Sequence, residues 1–267
     1  MMVRTYVHDA RERIDAEGEH VAEKLAAYDQ FERELDDIQV CTPGGPRRQG
    51  HTNQNGVTTT ATILAHTERN DDTLKRIRSS FAETVRPLST DDLDEPEPVL
   101  TTVQEELGED VAYALSPATD SRFTPEVKNA IRSMIARRRT DLQATDRALA
   151  VEKRSLQHAL DELEPVIDWI CRVNETPLSD LGFDALRTRH ETVAAHRSRC
   201  NQVAADRQAI IHGAARESVS TAAHRTLLAY LYRDLPTSFP VLTTVTRLDE
   251  RCQDCQRTVR DHLVRRI

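Results

Sequence analysis

The sequence holds few of the residues that build tight turns and large cores. Its 267 residues include only 8 glycines, and aromatic side chains make up 4% of the chain. Scarce glycine disfavours phosphate-binding loops and tight catalytic turns, and no dinucleotide-binding, P-loop or nucleophile-elbow motif occurs. Hydrophobic residues, at 38%, are too few for a large compact core. We therefore expect that the chain is not an enzyme.

Long apolar runs are also missing. No stretch approaches the length of a membrane-spanning helix, about 18 residues. The N-terminal segment becomes charged at once and has no apolar signal-peptide core. We therefore predict no membrane span and no secretion, and we expect the protein to be cytoplasmic.

Lysine is the scarcest charged residue. Only 4 of the 36 basic residues are lysine, and the formal net charge is -8. Residues 1–123 carry 25 acidic and 13 basic side chains, whereas residues 124–267 carry 19 and 23. The preference for arginine and aspartate is typical of a salt-loving archaeon. The opposite signs of the two halves would let them attract each other within a chain or between chains.

Apolar residues recur at every seventh position in two long segments. The first series is Val7, Ile14, Val21, Tyr28 and Leu35. The second series is Ile135, Leu142, Leu149, Leu156, Leu163 and Ile170. This spacing predicts long amphipathic helices paired along narrow seams. The companion seam of the first helix is interrupted by Glu17 and Lys24, and we infer that a polar partner matches it there.

Shorter apolar stripes complete an all-helical pattern. They predict helices over residues 71–86, 184–217 and 222–232, short helices from Pro98 and Glu109, and a last helix capped by Ser238. Thr124 followed by Pro125 is the clearest helix start, and Pro165 should kink that helix or force a local rearrangement. No alternating strand pattern is sustained.

The fold class that we predict is all-α, with long amphipathic helices packed as antiparallel coiled coils in an elongated bundle. A single domain would span residues 1–267. Residues 1–40 form its N-terminal helix, 41–70 a flexible loop, 71–123 short helices and acidic connectors, and 124–267 the bundle core. Glycine and proline crowd the segment 41–58, which predicts the loop.

Cys252 and Cys255 form a CxxC pair, the strongest candidate for chemistry. Such a pair occurs in zinc half-sites and redox centres, and Cys41, His51 or His262 would have to complete a zinc site. Both cysteines lie on the apolar stripe of the last helix, with no strand before them. We therefore favour packing over metal binding or redox chemistry, and we predict no cofactor and no metal. Cys171 and Cys200 are interpreted as packing residues too.

The remaining polar motifs favour ordinary surfaces. The ten histidines show no metal-ligand spacing. Arg137–Arg139 go around a helix, which is typical of a solvated coiled-coil flank. The carboxylate pairs Glu105–Glu106, Asp36–Asp37 and Asp91–Asp92 fall on polar segments that we expect to be exposed.

Four stretches carry a resemblance to a known family. They are YVHDARERIDAE continuing into EHVAEKLAAYDQFERELDDI, then DTLKRIRSSFAETV, RFTPEVKNAI and YLYRDLPTSFPVL. The chain resembles an uncharacterised haloarchaeal family of unknown function that is rich in coiled coils. The resemblance implies a halophilic archaeal protein and transfers no catalytic or binding residue. A CxxC pair is not a feature of that family.

These observations favour a coiled-coil structural or protein-interaction module without enzymatic activity. Its partner would be another protein or a second copy, met through helical seams, and no small-molecule substrate is implied. One alternative is a regulatory factor associated with nucleic acid, suggested by the basic second half. Another is a thiol or zinc sensor that uses Cys252 and Cys255.

Overall fold

The computed structural model of the chain describes residues 3–41, 58–90, 97–119, 121–213 and 220–265. These residues form helices and no strand, which confirms the all-α class. The α-helices are α1 (Tyr6–Asp36), α2 (Thr58–Thr84), α3 (Arg86–Ser89), α4 (Val99–Leu107), α5 (Glu109–Leu115), α6 (Pro125–Arg172), α7 (Phe183–Gly213), α8 (Ser220–Leu231) and α9 (Pro240–Val264). Two 3-10 turns, Val173–Glu175 and Leu178–Asp180, join α6 to α7. Within the described residues, no helix combines the length and apolarity needed to cross a membrane.

The predicted seams are the buried faces of the helices. All five residues of the first series are at most 3% exposed. On α6, Leu149, Leu156 and Leu163 are buried, whereas Leu142 and Ile170 are partly exposed. The seventh-residue spacing therefore identifies the packed faces correctly, because it follows the direction in which each side chain leaves the helix.

Helix α2 begins earlier than the sequence predicts. It starts at Thr58, not at Asp71 or Asp72, so the loop predicted to reach residue 70 ends before it. No proline or glycine lies between residues 58 and 71, and both aspartates face solvent inside the helix, where charge does not end it. The rest of the predicted loop, residues 42–57, lies outside the described residues.

Ser238 does not cap the last helix, contrary to the prediction. The N-cap position of α9 is Phe239, and no side chain caps it. Instead the Phe239 amide donates to the Thr237 hydroxyl oxygen at 3.1 Å, so the local turn already satisfies that donor. Helix α6 starts as predicted at Pro125 and continues through Pro165.

The described chain divides into two compact units. Unit 1 comprises Met1–Gly18 and Arg147–Ile267, and unit 2 comprises Glu19–Asp146. Helices α1 and α6 each contribute residues to both units. The prediction of a single domain stays a prediction.

Unit 2 packs around two phenylalanines. Phe31 on α1 meets Phe81 on α2 edge to face, with ring centroids 5.5 Å apart. Apolar residues of α4, α5 and α6 surround them in one continuous core. Ion pairs link α1 to α6 at the surface of this unit, between Asp36 and Arg132 at 2.5 Å and between Glu32 and Arg139 at 2.9 Å.

Unit 1 packs the second half of α6 with α7 and α9. Apolar residues at heptad spacing are buried on all three helices: Leu149, Leu156 and Leu163, then Leu186 and Val193, then Val245 and Val259. Arg197 on α7 forms an ion pair with Asp249 on α9 at 2.9 Å. Unit 1 thus combines buried apolar faces with an ion pair between α7 and α9.

Candidate functional site

Unit 1 contains a fully buried carboxylate, Glu152 on α6. Two guanidinium nitrogens of Arg207, on α7, donate hydrogen bonds to this carboxylate at 3.0 and 2.5 Å. Arg207 also donates to the Ser155 hydroxyl at 2.9 Å. The Tyr232 hydroxyl donates to the same carboxylate. Glu152, Arg207 and Tyr232 are 0%, 5% and 2% exposed, so all three side chains are shielded from solvent. The cluster therefore connects α6 to α7 and to Tyr232, the residue that follows α8.

Unit 2 has a comparable cluster around Glu106. Lys24 donates to one carboxylate oxygen at 2.7 Å, and the Tyr28 hydroxyl donates to the other at 2.6 Å. Arg138 donates to that second oxygen at 2.5 Å. Burial of Glu106 acts to raise its pKa, but the hydrogen bonds and positive charges around it prevail and lower the pKa to about 2. Burial, reinforced by the Glu106 charge, raises the pKa of Tyr28.

These contacts explain the polar interruption in the first helical seam. Lys24 faces Glu106 within unit 2. Glu17 accepts a hydrogen bond from the Tyr230 hydroxyl at 3.3 Å within unit 1. The polar partners expected from the sequence are therefore supplied by the chain itself.

The CxxC cysteines lie three turns inside α9, next to a thiol of α7. Cys252 is fully buried and Cys255 is half-buried. Burial, with the neighbouring Cys200 and Cys255 thiols, raises the pKa of Cys252 to about 12. Burial, followed by the charge of Asp249, raises the pKa of Cys200 to about 11. All three thiols therefore stay protonated at neutral pH and are poor nucleophiles, since burial raises the pKa of Cys255 as well.

The proposed zinc ligands do not come together in the described chain. No group of three or more histidine, cysteine, aspartate or glutamate side chains there has an arrangement that could hold a metal ion. His51 lies outside the described residues. Cys171 is exposed, so its interpretation as a packing residue is wrong. It directly follows Ile170 on α6, and one residue turns the side chain about 100° away from the seam.

Two of the three arginines at positions 137–139 form ion pairs inside unit 2, whereas the sequence predicted a solvated flank. Arg138 binds Glu106, and Arg139 forms ion pairs with Asp29 and Glu32, both at 2.9 Å. Arg137 is exposed and forms no ion pair with any residue in the described part of the chain. The run is therefore not a free basic patch, and the nucleic-acid alternative loses its main local signal.

Two open grooves flank the first half of α9 in unit 1. The larger, about 750 Å³, lies between the start of α1 and α9, and its lining includes Tyr6, Leu248 and Arg251. The smaller, about 400 Å³, has Phe239 and Leu242 among its lining residues. Arg247 and Glu250 line both grooves and form a ridge between them. We call the exposed residues Arg247, Glu250, Arg251 and Asp254 the α9 ridge.

An aromatic ring orients the first arginine of the α9 ridge. The Arg247 guanidinium lies 4.6 Å from the centre of the Tyr6 ring, a cation–π distance. Phe239, at the start of α9, is 55% exposed, and Val264, at its end, is 66% exposed. Exposed aromatic and arginine side chains beside concave surfaces are typical of protein-binding surfaces.

One known protein family matches most of this chain. The family described as a domain of unknown function, DUF7260, matches residues 5–256. The chain belongs to the DUF7260 family. No curated protein and no solved structure matches it. DUF7260 membership therefore brings no named ligand or catalytic residue, and the chemistry of this DUF7260 chain rests on its own side chains.

Sequence reasoning missed the buried carboxylates. Glu106 was expected to be exposed together with Glu105; Glu105 is exposed, but Glu106 is 6% exposed. The usable signal is a charge at a seam position of a helix. Glu152 lies three residues after Leu149 and four before Leu156, and Arg207 continues the series of Leu186, Val193 and Cys200. Asp36 and Asp37 are exposed as predicted, and Asp91 and Asp92 lie outside the described residues.

Proposed function

We propose that this chain is a protein-interaction module without enzymatic activity, and that it binds another protein chain through the α9 ridge. The observation that carries this proposal is the ridge itself: all four of its residues line the larger groove, Arg247 and Glu250 also line the smaller one, and Arg247 lies on the Tyr6 ring. A partner helix can place its own side chains in such grooves by ridges-into-grooves packing.

The polar groups of the interior support a binding role over catalysis. Glu106 and Glu152 are each held by an arginine and a tyrosine hydroxyl, so their hydrogen-bonding capacity is directed inward. The thiols with raised pKa values are not activated as nucleophiles. The groups that face solvent on α9 are suited to recognition.

We further propose that the helices pair as antiparallel coiled coils. In unit 1, Glu152 pairs with Arg207 and Glu162 with Arg199, so residue numbers rise along α7 as they fall along α6. In unit 2, Asp36 pairs with Arg132 and Glu32 with Arg139, which gives the same reversal between α1 and α6. Such pairing would hold the α9 face rigid and cut the entropy cost of binding.

A halophilic archaeal origin is part of the same proposal. It is supported by the excess of arginine, with only 4 lysines among 36 basic residues, and by the net charge of -8. Under high salt, exposed ion pairs are screened, and packed apolar seams would carry more of the stability.

Affinity capture from the host with a ridge variant tests the proposal. The variant Arg247→Glu removes the guanidinium on the Tyr6 ring, and Arg154→Glu, an exposed arginine on α6, makes the same charge change away from α9. We expect the wild type and Arg154→Glu to retain the same partner chain and Arg247→Glu to lose it. Retention of that partner by Arg247→Glu would contradict binding through the ridge.

A further inference from the structure

The charges on the α9 ridge are arranged symmetrically along the helix. In chain order they are Arg247, Glu250, Arg251 and Asp254, and all four side chains are exposed. If a second α9 is laid against the first in the opposite direction, Arg247 meets Asp254 and Glu250 meets Arg251. Both pairs are centred between Glu250 and Arg251, so one twofold axis satisfies all four contacts. A surface that complements itself in this way is the requirement of a twofold dimer.

We propose that the partner of the α9 ridge is a second copy of this chain, docked with its α9 antiparallel to the first. This inference rests on the proposed function, because it names the partner for the same surface. The interface would bring four ion pairs together around the twofold axis, two of each kind.

The ridge charges are available for such contacts. Arg247, Glu250 and Arg251 form no ion pair with any residue that the structure describes. Among the described residues the Asp254 carboxylate forms one ion pair, with Arg257 at 3.7 Å, and both side chains are about 60% exposed or more. An exposed pair of this kind contributes little and is readily exchanged for a contact with a second chain.

The exposed apolar residues of α9 fit the same arrangement. Phe239 lies at its start and Val264 at its end, and both are more than half exposed. Antiparallel docking carries the Phe239 end of one copy to the Val264 end of the other. Each copy would then withdraw an exposed aromatic ring and an aliphatic side chain from water, a favourable term.

The grooves beside the ridge provide the shape complementarity. All four ridge residues line the larger groove, so the ridge of one copy would lie against the mouth of this groove in the other, between α9 and the start of α1. Helix α9 has 25 residues, which corresponds to a length of about 37 Å. One helix face of this length buries less than the roughly 800 Å² per partner of a standard interface. We therefore expect a dimer that dissociates on dilution.

Charge exchange across the twofold axis is the decisive experiment. In Arg247→Glu, two pairs of carboxylates face each other in the homodimer, and in Asp254→Arg two pairs of guanidinium groups do. We expect each single variant to dimerise at least about tenfold more weakly than the wild type in sedimentation equilibrium. An equimolar mixture of the two variants restores opposite charges at both positions, so a mixed dimer should form with near wild-type affinity. The double variant Arg247→Glu/Asp254→Arg should also regain self-association.

The controls separate this inference from the proposed function. Arg154→Glu should dimerise like the wild type, and circular dichroism should show the same helix content for every variant. A wild type that stays monomeric at all concentrations would overturn the second-copy inference. So would a dimer that the single variants leave unchanged, or a mixture that does not associate. In any of these cases, loss of a different captured protein with Arg247→Glu would leave the proposed function standing.

Discussion

Glu106 and Glu152 stabilise the two units in similar ways. Each is a buried carboxylate that accepts hydrogen bonds from an arginine on another helix and from a tyrosine, Tyr28 on α1 or Tyr232 directly after α8. Transferring a charge from water into the protein interior costs free energy. Its hydrogen-bonding partners offset that cost only when all of them are in place. We therefore expect these clusters to specify which helices pack together more than they add to net stability.

The Glu152 cluster allows a test of this argument. Arg207→Met leaves the Glu152 carboxylate buried without its cation, and we expect it to lower the free energy of unfolding by about 3–5 kcal/mol. Adding Glu152→Leu removes the stranded charge, so the double variant should be more stable than Arg207→Met alone. Urea unfolding followed by circular dichroism measures both values. A double variant that loses the sum of the two single effects would contradict the coupling.

The Glu106 cluster predicts a pH dependence. The pKa of Glu106 is about 2 in the folded chain, against an ordinary value of 4.5. Because the folded-state pKa is lowered, its contribution to stability is fully present above pH 4.5 and is lost as the pH falls towards 2. We expect the difference in unfolding midpoint between the wild type and Glu106→Gln to be large near pH 5 and to shrink steadily in more acidic urea titrations. A difference that stays constant with pH would refute the role of the ionised carboxylate.

Individual buried charges were harder to predict from the sequence than buried apolar residues. A charge at a seam position, as at Glu152, indicates that an apolar face is interrupted, but the sequence does not say whether that charge is buried with partners or turned to solvent. The partners of Glu106 come from residues 82 positions earlier and 32 positions later in the chain. No local sequence pattern encodes these long-range contacts, so Glu106 was predicted to lie at the surface.

At the scale of the helices, the periodic signal was reliable, whereas the end signals succeeded for α6 and failed for the start of α2 and the cap of α9. The series from Val7 to Leu35 is buried throughout because many residues in register point to one side. The start of α2 and the cap of α9 depend on single local contacts, such as the one from Phe239 to Thr237, which compete closely in energy. Neither the periodicity nor the helix-end motifs predicted the α9 ridge, because the ridge depends on which helix faces remain uncovered by other helices.

Gly108 ends α4 and begins α5, and its backbone makes it hard to replace. Its φ is 90°, in the region that favours glycine, while an added Cβ would meet only the Met134 side chain at an ordinary 3.6 Å. We expect Gly108→Ala to lower the free energy of unfolding by about 1–2 kcal/mol, from backbone strain alone. Gly18→Ala is the matched control: it lies inside α1 with nothing within 4 Å and should stabilise the chain by up to about 1 kcal/mol. Thermal unfolding of the two variants should shift in opposite directions, and a neutral Gly108→Ala would contradict the strain.

At the scale of the whole molecule, two compact units share helices α1 and α6. Ending a helix within its length would expose several unpaired backbone groups on each side of the break. Unfolding one unit while the other stays folded would require such breaks in both helices. We therefore expect the units to unfold together, as the single domain predicted from the sequence would.

The single tryptophan makes this expectation measurable. Trp169 lies in unit 1, whereas the fully buried Phe81 lies in the core of unit 2. Phe81→Ala should cost about 3–5 kcal/mol by leaving a cavity. If the units are coupled, this change lowers the denaturation midpoint of Trp169 fluorescence as much as that of circular dichroism, although the mutated residue belongs to the other unit. Leu156→Ala, in unit 1, is the control that must shift both signals in either case. A Trp169 midpoint that Phe81→Ala leaves in place, beside a circular dichroism curve that splits into two steps, would show that the units unfold independently.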